Sequence, residues 1–390
     1  MPVCFRRSRR GALIALVLFV FAVHDLLYRL DSRAPEPPAA AANIPLGRVF
    51  IASNHWNSAK ILKSHWSNSV LELIAKIGPE NVYFSLYESG SWDDTKGELR
   101  QLDSRLEELG VARTIIMDET THSDEISKPP EDKWWIETKS GKKELRRIPY
   151  LARLRNIVLE PLLSPEVVNA THSFDRILFL NDVIFTPDDA IKLMQTRSGD
   201  YAAACALDFA VPHKFYDTFA LRDSTGRPAA SLEYPYFGAG RSRQSLLRGE
   251  PVLVRSCWNG MVSFDAKPFI AKQPLRFRGI PDSLALHHLE GSECCLIHYD
   301  NPLSSSRGIY LNPQVRVGYK EPAYLSAKSW PSIRDTIPGM FIRATTWIID
   351  LPWKDRKVDA RLKKWGGKEV GRDCLIDEMQ ILADNGWKHM

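Results

Sequence analysis

The chain has 390 residues, of which 44% are hydrophobic and 25% are charged, so it can bury one large core or two modest ones. Its formal net charge is +5, and Arg6, Arg7, Arg9 and Arg10 supply four of those charges. Because the remainder is close to neutral, we find no basic surface of the kind that nucleic-acid binding requires.

The N-terminal region is predicted to carry the chain into the secretory pathway. Residues 1–10 are basic, and an uninterrupted apolar run follows from Gly11 to Val23. This run has the length of a signal-peptide core, whereas an extension over residues 11–30 is long enough to span a membrane. We favour an anchor over 11–30 with residues 1–10 as a cytoplasmic tail, and leave open cleavage at Ala39 to Ala42. The Pro- and Ala-rich residues 31–46 predict an extended stem.

Two further features agree with this route. Asn169-Ala170-Thr171 is an acceptor sequon for N-glycosylation, although such triplets also arise by chance. Five cysteines lie beyond Cys4, at positions 205, 257, 294, 295 and 374. In an oxidising lumen some of them are expected to pair, and their odd number leaves at least one over. No CxxC spacing indicates zinc.

From Arg48 onward, apolar strands alternate with amphipathic helices. The predicted elements are the strands 49–52, 82–87 and 111–117 and the helices 60–77 and 98–109, the second helix ending at Gly110. Repeated strand–helix–strand order predicts an α/β fold with a parallel sheet and right-handed crossovers. The chain lacks a G-x-G-x-x-G turn and a P-loop, which argues against dinucleotide and ATP binding. Residues 121–147 are charged and irregular, and predict a surface excursion.

The segment Pro149–Leu163 predicts a helix with an arginine on its apolar face. At 100° per residue Arg155 falls inside the apolar stripe, whereas Arg153 and Asn156 lie on the opposite side. An inward guanidinium needs an anionic partner, and a phosphate suits its planar fork. An internal ion pair is the alternative that we leave open.

The segment Arg176–Phe185 is an apolar run that Asn181-Asp182 interrupts. Such a run predicts a strand buried on both faces of a sheet. A carboxylate at the end of such a strand stands in the crevice where open α/β folds bind their ligands. Alternatively, Asp182 caps a turn before the helix that is predicted to begin at Pro187.

Further carboxylates follow the next predicted strand, Tyr201–Leu207. Asp208 comes directly after it, and Asp217 and Asp223 lie in a block rich in aromatic and polar residues from Lys214 to Arg227. Aromatic rings beside carboxylates suit sugar recognition, because the apolar faces of sugars stack on rings while their hydroxyls take hydrogen bonds. An ordinary loop is the alternative.

The last third contains fewer signals. Residues 252–257 and 262–265 predict two strands joined across a tight turn at Trp258-Asn259-Gly260. Residues 293–300 predict a short strand that carries His298, and a single histidine is more often structural than a ligand. From Tyr324 onward, pieces such as 340–353 and 373–382 predict helices that pack at the C-terminus, with no catalytic pattern.

Six motifs in sequence order resemble the fungal capsule-associated, or cryptococcal, α-1,3-mannosyltransferase family (glycosyltransferase family 69). The resemblance extends from about Arg48 to about Tyr319. The motifs are Tyr87-Glu88-Ser89-Gly90-Ser91, Leu151-Ala152-Arg153-Leu154-Arg155-Asn156, Phe179-Leu180-Asn181-Asp182-Val183, Phe215-Tyr216-Asp217, Ser256-Cys257-Trp258-Asn259-Gly260-Met261 and Glu293-Cys294-Cys295-Leu296-Ile297-His298.

The resemblance implies a GT-A-like fold in a type II Golgi membrane protein with a lumenal catalytic domain over 47–325 and a C-terminal helical packing segment over 326–390. It also implies GDP-mannose as donor, Mn²⁺ or Mg²⁺ as cofactor, and transfer to a mannose-containing glycan with retention, in an α-1,3 linkage. Asp182 then stands at the D-x-D metal motif, from which the sequence departs because Leu180 occupies the first Asp position.

On this resemblance we assign site residues. The candidate metal ligands are Asp182 and His298. Four carboxylates are candidates for catalysis: Asp182, Asp208, Asp217 and Asp223. The candidates for donor binding are Ser53, Asn54, Glu88, Arg153, Arg155, Asn156 and Asn181. The candidate acceptor site consists of Trp258, Asn259 and Gly260, in which the ring of Trp258 would serve as a stacking plate for the sugar. Two alternatives remain open, an inactive glycan-binding or scaffolding protein of the same fold and a secretory glycoside hydrolase.

Overall fold

The computed structural model describes residues 45–138, 141–164, 173–329, 331, 333–346 and 351–390, together with scattered helical positions between 11 and 23. The predicted basic tail, almost all of the stem and the sequon at 169–171 lie outside these residues. Within the described ranges, no helix combines the length and the apolar character that a bilayer crossing requires. The membrane anchor therefore stays a prediction.

The strands are numbered in chain order. They are β1 (Val49–His55), β2 (Val82–Ser89), β3 (Ala112–Asp118), β4 (Trp135–Glu137), β5 (Lys143–Leu145), β6 (Arg176–Leu180), β7 (Ala203–Val211), β8 (Lys214–Phe215), β9 (Val252–Val254), β10 (Met261–Asp265), β11 (Glu290–Gly291), β12 (Ile309–Gly318), β13 (Leu375–Ile376), β14 (Gln380–Ala383) and β15 (Gly386–His389).

The helices are numbered in the same way. They are α1 (Ser67–Ile77), α2 (Thr95–Glu108), α3 (His122–Ser127), α4 (Arg147–Leu159), α5 (Pro187–Met194), α6 (Gly240–Leu247), α7 (Asp282–Ala285), α8 (Glu293–Asp300), α9 (Ser304–Arg307), α10 (Glu321–Lys328), α11 (Ile333–Thr345) and α12 (Leu351–Trp365). A helical turn at Ala59–Ile61 and a π-helical turn at Leu62–Trp66 lead into α1, and Glu160–Leu163 continues α4 as a 3₁₀ turn.

The central sheet is mixed. Its order is β3-β2-β1-β6-β10-β7-β12-β9, and β8 pairs with β7. The four strands from β3 to β6 are mutually parallel, as are β7 and β12, whereas β10 runs antiparallel to both β6 and β7. The predicted α/β fold is confirmed, with antiparallel strands β8, β9 and β10 added to its parallel part.

Both faces of the sheet are covered, which explains the continuous apolar runs of its strands. On β1, Phe50 and Ala52 belong to one core cluster, whereas Val49 and Ile51 belong to another on the opposite face. The first cluster includes side chains from α4, and the second includes side chains from α1, α2 and α5. The start of α5 is fixed by a capping box in which Thr186 and Asp189 exchange hydrogen bonds.

Three predicted elements are wrong. The strands β9 and β10 do not form a hairpin, because β9 pairs with β12 and β10 lies between β6 and β7. Residues 293–300 form helix α8, whose N-terminus is capped by the Ser292 hydroxyl, and not a strand. Residues 373–382 do not form a helix; a 3₁₀ turn at Arg372–Cys374 is followed by β13 and β14.

Two disulfides join distant segments. Cys205 on β7 is bonded to Cys257, and Cys295 on α8 is bonded to Cys374, next to β13. Among the described cysteines Cys294 is free and buried. The prediction that some cysteines pair and that one is left over is therefore confirmed.

Candidate active site

Strands of the central sheet bring polar side chains to one edge. Because β6 and β7 both run antiparallel to β10, they point the same way and end at the same edge, as does β12. Asn181 and Asp182 follow β6, Asp208 lies in the second half of β7, and Tyr319 follows β12. Ligands of open α/β sheets bind in the crevice outside this carboxyl edge.

Asp208 and Asp217 form a hydrogen-bonded carboxylate pair. Asp208 Oδ1 accepts hydrogen bonds from the Asp217 backbone N–H at 3.1 Å and from Asn259 Nδ2 at 3.3 Å, and Oδ2 accepts one from the Tyr319 hydroxyl at 3.2 Å. Asp217 Oδ1 accepts from two backbone N–H groups of its own turn. Burial, reinforced by the charge of Asp217, raises the pKa of Asp208 to about 7. Burial also raises the pKa of Asp217, so the pair readily binds a proton or a cation near neutral pH.

Asp182 is a carboxylate without a side-chain partner among the described residues, where its only hydrogen bond comes from its own backbone N–H. The residue is half-buried, and desolvation raises its pKa to about 6. Burial, together with the charges of Asp208, Asp182 and Asp217, raises the pKa of Tyr319, so the three carboxylates lie around this phenol. A hard divalent cation fits such a donor set, since it needs few protein carboxylates when substrate phosphates and water complete its coordination.

Of these carboxylates, Asp217 lines a cavity of about 870 Å³, whereas Asp182 and Asp208 do not line it. Its volume is towards the upper end of the range of about 300–1,000 Å³ that is typical of small-molecule sites. Asn181, Asp217 and Tyr319 line one end. The C-terminal segment also contributes lining residues: Ile342, Thr346, Lys354, Ile376, Glu378, Gln380, Trp387 and His389. Residues 326–390 therefore contribute to the lining of the cavity, in addition to the packing role that we predicted for them.

Two of the arginines that line the cavity are already engaged. Arg155 forms an ion pair with Glu293 at 3.0 Å and lies 4.3 Å over the ring of Trp258. The internal ion pair that the sequence left open is thus present, although Arg155 still contacts the cavity. Arg222 is almost completely buried and donates to backbone carbonyl groups, so its role is to hold loops together.

Arg147 differs, because it forms no ion pair with any described residue. It lines the cavity at the start of α4, donates to Gln380 Oε1 at 2.5 Å and lies 4.6 Å over the ring of Trp387. Desolvation lowers its pKa. Arg147 and Lys354 of α12, which also lines the cavity, can therefore both offer a positive charge to an anionic ligand. Sequence analysis assigned no role to Arg147 because it closes the stretch interpreted as a surface excursion.

Trp258 does not offer a stacking surface. The residue is only 3% exposed, its Nε1 donates to Asn181 Oδ1 at 3.0 Å, and the Arg155 guanidinium covers its ring. The predicted stacking plate is wrong, because a sugar cannot reach a ring that is already covered. Trp258 instead fixes the side chain of Asn181 at the end of β6.

Asn259 and Gly260 shape the turn before β10. Both have positive φ angles, +58° and +77°. A Cβ atom at Gly260 would lie 2.9 Å from Val317 and 3.3 Å from the Cβ atom of Asp208, so glycine is needed for close packing as well as for φ. Asn259 is fully buried and bridges Asp208 and Asp217. The two residues support the carboxylate pair, and a direct acceptor contact is wrong for the buried Asn259.

Asp223 is a structural carboxylate. It is fully buried and accepts hydrogen bonds from the backbone N–H groups of Thr225, Arg227 and Ala239 at 2.8, 3.1 and 3.3 Å. It does not line the cavity. The predicted catalytic role is wrong, because this fully buried carboxylate orders the surrounding loop and, unlike Asp217, does not reach the cavity.

Several predicted donor-binding residues are also engaged elsewhere. Ser53 is buried and donates to the Leu180 carbonyl at 2.6 Å. Glu88 is fully buried and accepts a hydrogen bond from the Ser91 backbone N–H at 2.5 Å. Neither lines the cavity, so the predicted donor contacts of these two residues are wrong: their side chains hold strand ends and loops.

The remaining donor-binding candidates divide in a similar way. Asn156 uses its amide on both the N–H and the carbonyl of Phe277, at 2.9 Å each, and its predicted donor contact stays a prediction. Arg153 forms an ion pair with Glu125 at 2.6 Å outside the cavity lining. Asn54 donates to a backbone carbonyl, but its buried Oδ1 has no hydrogen-bond partner. Donor binding by Arg153 and Asn54 stays a prediction.

The predicted metal ligand His298 is wrong. Its imidazole is fully buried on α8, stacks on Phe264 with ring centroids 5.3 Å apart, and places Nε2 2.6 Å from the Cys257 carbonyl oxygen. Burial lowers its pKa to about 4. It lies against the disulfide formed by Cys205 and Cys257, whose bonded sulfurs are not thiolate ligands. His298 is therefore a core histidine.

Asp208 is expected to give the free energy of unfolding a pH dependence of defined sign. Its pKa rises from 3.8 to about 7 on folding, so between these pH values the folded protein holds a proton that the unfolded chain has released. The stability that it contributes is present below pH 4 and is lost as the pH rises through 7. Asp208→Asn, which cannot ionise, should gain stability relative to the unmodified protein over this window, by up to about 1.4 kcal/mol per pH unit. Denaturant unfolding without divalent metal at several pH values measures the difference.

The matched control is Asp124→Asn. Hydrogen bonds from Thr121 lower the pKa of this fully exposed carboxylate, so its titration lies below the window and the difference in stability should stay constant within it. A constant difference for Asp208→Asn as well would contradict the expected titration of Asp208.

Comparison with known proteins gives a family match. Residues 48–300 match the family model described as Cryptococcal mannosyltransferase 1. The chain is 24% identical over 271 residues to the alpha-1,3-mannosyltransferase CMT1 of Cryptococcus neoformans var. neoformans serotype D, in an alignment that covers 65% of this chain and 54% of that protein. The chain thus spans about half the length of the curated relative that it matches.

Solved structures give more distant likenesses. The mannosyltransferase PcManGT from Pyrobaculum calidifontis, in complex with GDP-Man and Mn²⁺, is 13% identical with a TM-score of 0.42, over 92% of this chain and 88% of that chain. TarS from S. aureus, in complex with UDP, is 12% identical with a TM-score of 0.37, over 81% of this chain and 71% of that chain.

Proposed function

The chain belongs to the Cryptococcal mannosyltransferase 1 family, and on that premise we propose that it is a glycosyltransferase with a GT-A-like catalytic domain. It moves mannose from GDP-mannose to a mannose-containing glycan. The linkage that we propose is α-1,3, formed with retention of configuration. The proposal combines the family with the chemistry of the carboxyl edge of the sheet.

The observation that carries this proposal is the carboxylate of Asp182, which has no side-chain partner among the described residues and is next in the chain to the cavity-lining Asn181. Arg147, which forms no ion pair with a described residue, lines the same cavity. A carboxylate and a guanidinium near one site suit a metal-bound diphosphate, because neither forms an ion pair within the described residues. A bound Mn²⁺ or Mg²⁺ would neutralise charge on the departing diphosphate. Asp182 would hold the cation, and Asn181, fixed by Trp258 at 3.0 Å, would border it.

The protein's own residues account for two further requirements. Negative charge develops on the leaving diphosphate, and Arg147 would stabilise it from the cavity wall. Positive charge develops on the sugar ring, where a carboxylate lowers the energy of the transition state. We assign that second role to Asp217, which lines the cavity. Asp208 lies behind it and is a positioning residue, since it accepts the hydrogen bond of the Asp217 backbone N–H.

We also propose a lumenal location in the secretory pathway, in the Golgi membrane. The two disulfides support it, since such bonds persist in oxidising compartments. The single-pass anchor over residues 11–30 belongs to the same proposal.

The direct test is a panel of nucleotide sugars incubated with the full-length protein and a mixture of mannosides, with and without Mn²⁺, while the released nucleotide is measured. GDP release from GDP-mannose that depends on Mn²⁺ supports the proposal. Release of nucleotide from another donor alone would change the proposed donor substrate but would keep the proposed reaction class, glycosyl transfer. Release from none of the donors would favour the alternative of an inactive glycan-binding protein. That alternative is motivated by Leu180, which occupies the first Asp position of the D-x-D motif.

Ligand protection separates a transferase from a glycoside hydrolase. GDP with Mn²⁺ is expected to raise the melting temperature, because a ligand at 100 times its Kd stabilises the folded state by about 2.7 kcal/mol, which corresponds to a few degrees for a domain of this size. Free mannose alone should have no comparable effect. Differential scanning fluorimetry measures both, and protection by mannose without protection by GDP and Mn²⁺ would favour a hydrolase.

A further inference from the structure

We propose that the wall formed by β14 and β15 is the acceptor subsite, where a neutral sugar of the glycan packs against Trp387. This inference rests on the proposed function for the identity of the reaction. Its position within the cavity comes from the described side chains, and it replaces the acceptor site that the sequence predicted at Trp258.

Two aromatic side chains that line the cavity have a large exposed surface, Tyr216 at 56% and Trp387, and Tyr216 lies next to Asp217 at the carboxylate end. Trp387 is 40% exposed even though the Arg147 guanidinium lies 4.6 Å over its ring, whereas Trp258 is only 3% exposed beneath Arg155. β14 and β15 are antiparallel, and Leu382 pairs with Trp387, so the indole is carried on a regular hairpin and not on a loose chain end. An exposed indole at a cavity wall provides the apolar surface that a sugar face requires.

Polar groups surround this indole in a connected series. Arg147 donates to Gln380 Oε1 at 2.5 Å, Gln380 Nε2 donates to Glu378 Oε1 at 2.8 Å, and His389 bonds the same carboxylate. All four side chains line the cavity. Fixed amide, carboxylate and imidazole groups beside an aromatic ring are the donors and acceptors that sugar hydroxyls use.

The charges of this wall favour a neutral ligand over the nucleotide. Glu378, next to β14, would repel a diphosphate, whereas Arg147, which donates to Gln380 of β14, and Lys354 of α12 are cations of the same lining. Burial lowers the pKa of Arg147, whereas the charges of Glu293 and Tyr216 oppose that shift. Arg147 is therefore near residues of the carboxylate end as well as near Gln380 of β14. The donor is therefore expected at the Asp182 and Asp217 end, and the acceptor at the Trp387 end.

The test compares Trp387→Ala, Trp387→Phe and the matched control Trp353→Ala in the full-length protein. Trp353 is 59% exposed on α12 and does not line the cavity. Binding of α-1,3-linked mannobiose is measured without donor by saturation-transfer NMR, and the KM values for mannobiose and GDP-mannose are measured by GDP release. Melting temperatures verify that each variant is folded.

Trp387→Ala is expected to weaken mannobiose binding and to raise its KM by about tenfold, while the KM for GDP-mannose changes by less than about twofold. Trp387→Phe should recover most of the loss, and Trp353→Ala should match the unmodified protein. Unchanged mannobiose binding in Trp387→Ala, an equal rise in the KM for GDP-mannose, or no binding by the unmodified protein would each overturn the subsite. If mannobiose binding depends on Trp387 but no GDP is released, the subsite stands and the proposed function fails.

Discussion

Replacing Asp182 by alanine is expected to lower the kcat for transfer from GDP-mannose by about 100- to 1,000-fold, the usual effect of removing one preorganised electrostatic contact to a transition state. The fold should survive, because the carboxylate has no side-chain partner among the described residues. Since desolvation raises its pKa to about 6, its removal should leave the metal-free protein as stable as before, or slightly more stable, at pH 7. Steady-state GDP release and differential scanning fluorimetry measure the two effects.

The control is Asp188→Ala on α5, whose carboxylate is 77% exposed and pairs only with the surface residue Lys76. It should change neither activity nor stability appreciably. The protection by GDP and Mn²⁺ should disappear in Asp182→Ala and persist in Asp188→Ala. Undiminished transfer by Asp182→Ala would remove the assignment of this residue to the donor site.

The second large effect is expected for Arg146→Ala, which should lower the free energy of unfolding by about 3–5 kcal/mol. Arg146 is completely buried and donates to Glu290 at 2.8 Å, to Asp282 at 2.6 Å and to the Ile280 carbonyl at 2.9 Å. Its loss leaves the fully buried Glu290 without a counter-charge; burial already raises the pKa of that carboxyl, with Arg146 opposing the shift. Denaturant unfolding measures the loss.

The matched surface control is Lys76→Ala, which removes one partner of an exposed ion pair at 2.7 Å and should change stability by less than about 1 kcal/mol. The double variant Arg146→Met with Glu290→Leu should recover most of the loss, because it removes both buried charges together. A double variant as unstable as Arg146→Ala would indicate that shape, and not the unpaired charge, determines the effect.

The effect of Arg146 reaches the cavity through the backbone. Arg146 forms an isolated bridge with Ile381 of β14, and Glu290 of β11 pairs with Ile376 of β13. The ion pairs of Arg146 with Glu290 and Asp282 therefore hold the start of α4 together with β13 and with the cavity wall formed by β14 and β15. Partial loss of this region would lower activity before the central sheet unfolds.

The first half of the fold could be predicted because its signals are local. The strands β1 and β2 are continuous apolar runs, and α2 ends at Glu108 with Leu109 as its C-cap, directly before the stop signal Gly110. In contrast, the pairing of β10 with β6 and β7 depends on residues far away in the sequence, such as Leu180 opposite Met261 and Cys205 opposite Val262. A pattern of two nearby apolar runs cannot distinguish that arrangement from a hairpin.

Short apolar runs were the second source of error. Residues 293–300 have the composition of a strand, yet Ser292 caps a helix there. Periodicity over eight residues does not decide between the two. His298 was placed at the end of a strand for this reason, and the helix instead buries it against Phe264.

The candidate site was predicted in part. Asp182, Asp208 and Asp217 reach one edge of the sheet, as expected from strand ends, because parallel strands share their carboxyl edge. Asp223 could not be separated from them, since a carboxylate that orders a loop and one that faces a cavity look alike in a sequence. Arg147 and Trp387 were missed because they meet only through tertiary structure, 4.6 Å apart.

The position of β14 and β15 in the chain has a consequence for biosynthesis. The ribosome synthesises the chain from its N-terminus. All strands of the central sheet, with Asp182 and Asp208 at its edge, are therefore made before residues 380–389. Until then the crevice lacks its far side and Trp387. A premature stop between residues 370 and 380 would therefore remove β14, β15 and Trp387 from the cavity while leaving every strand of the central sheet in the chain.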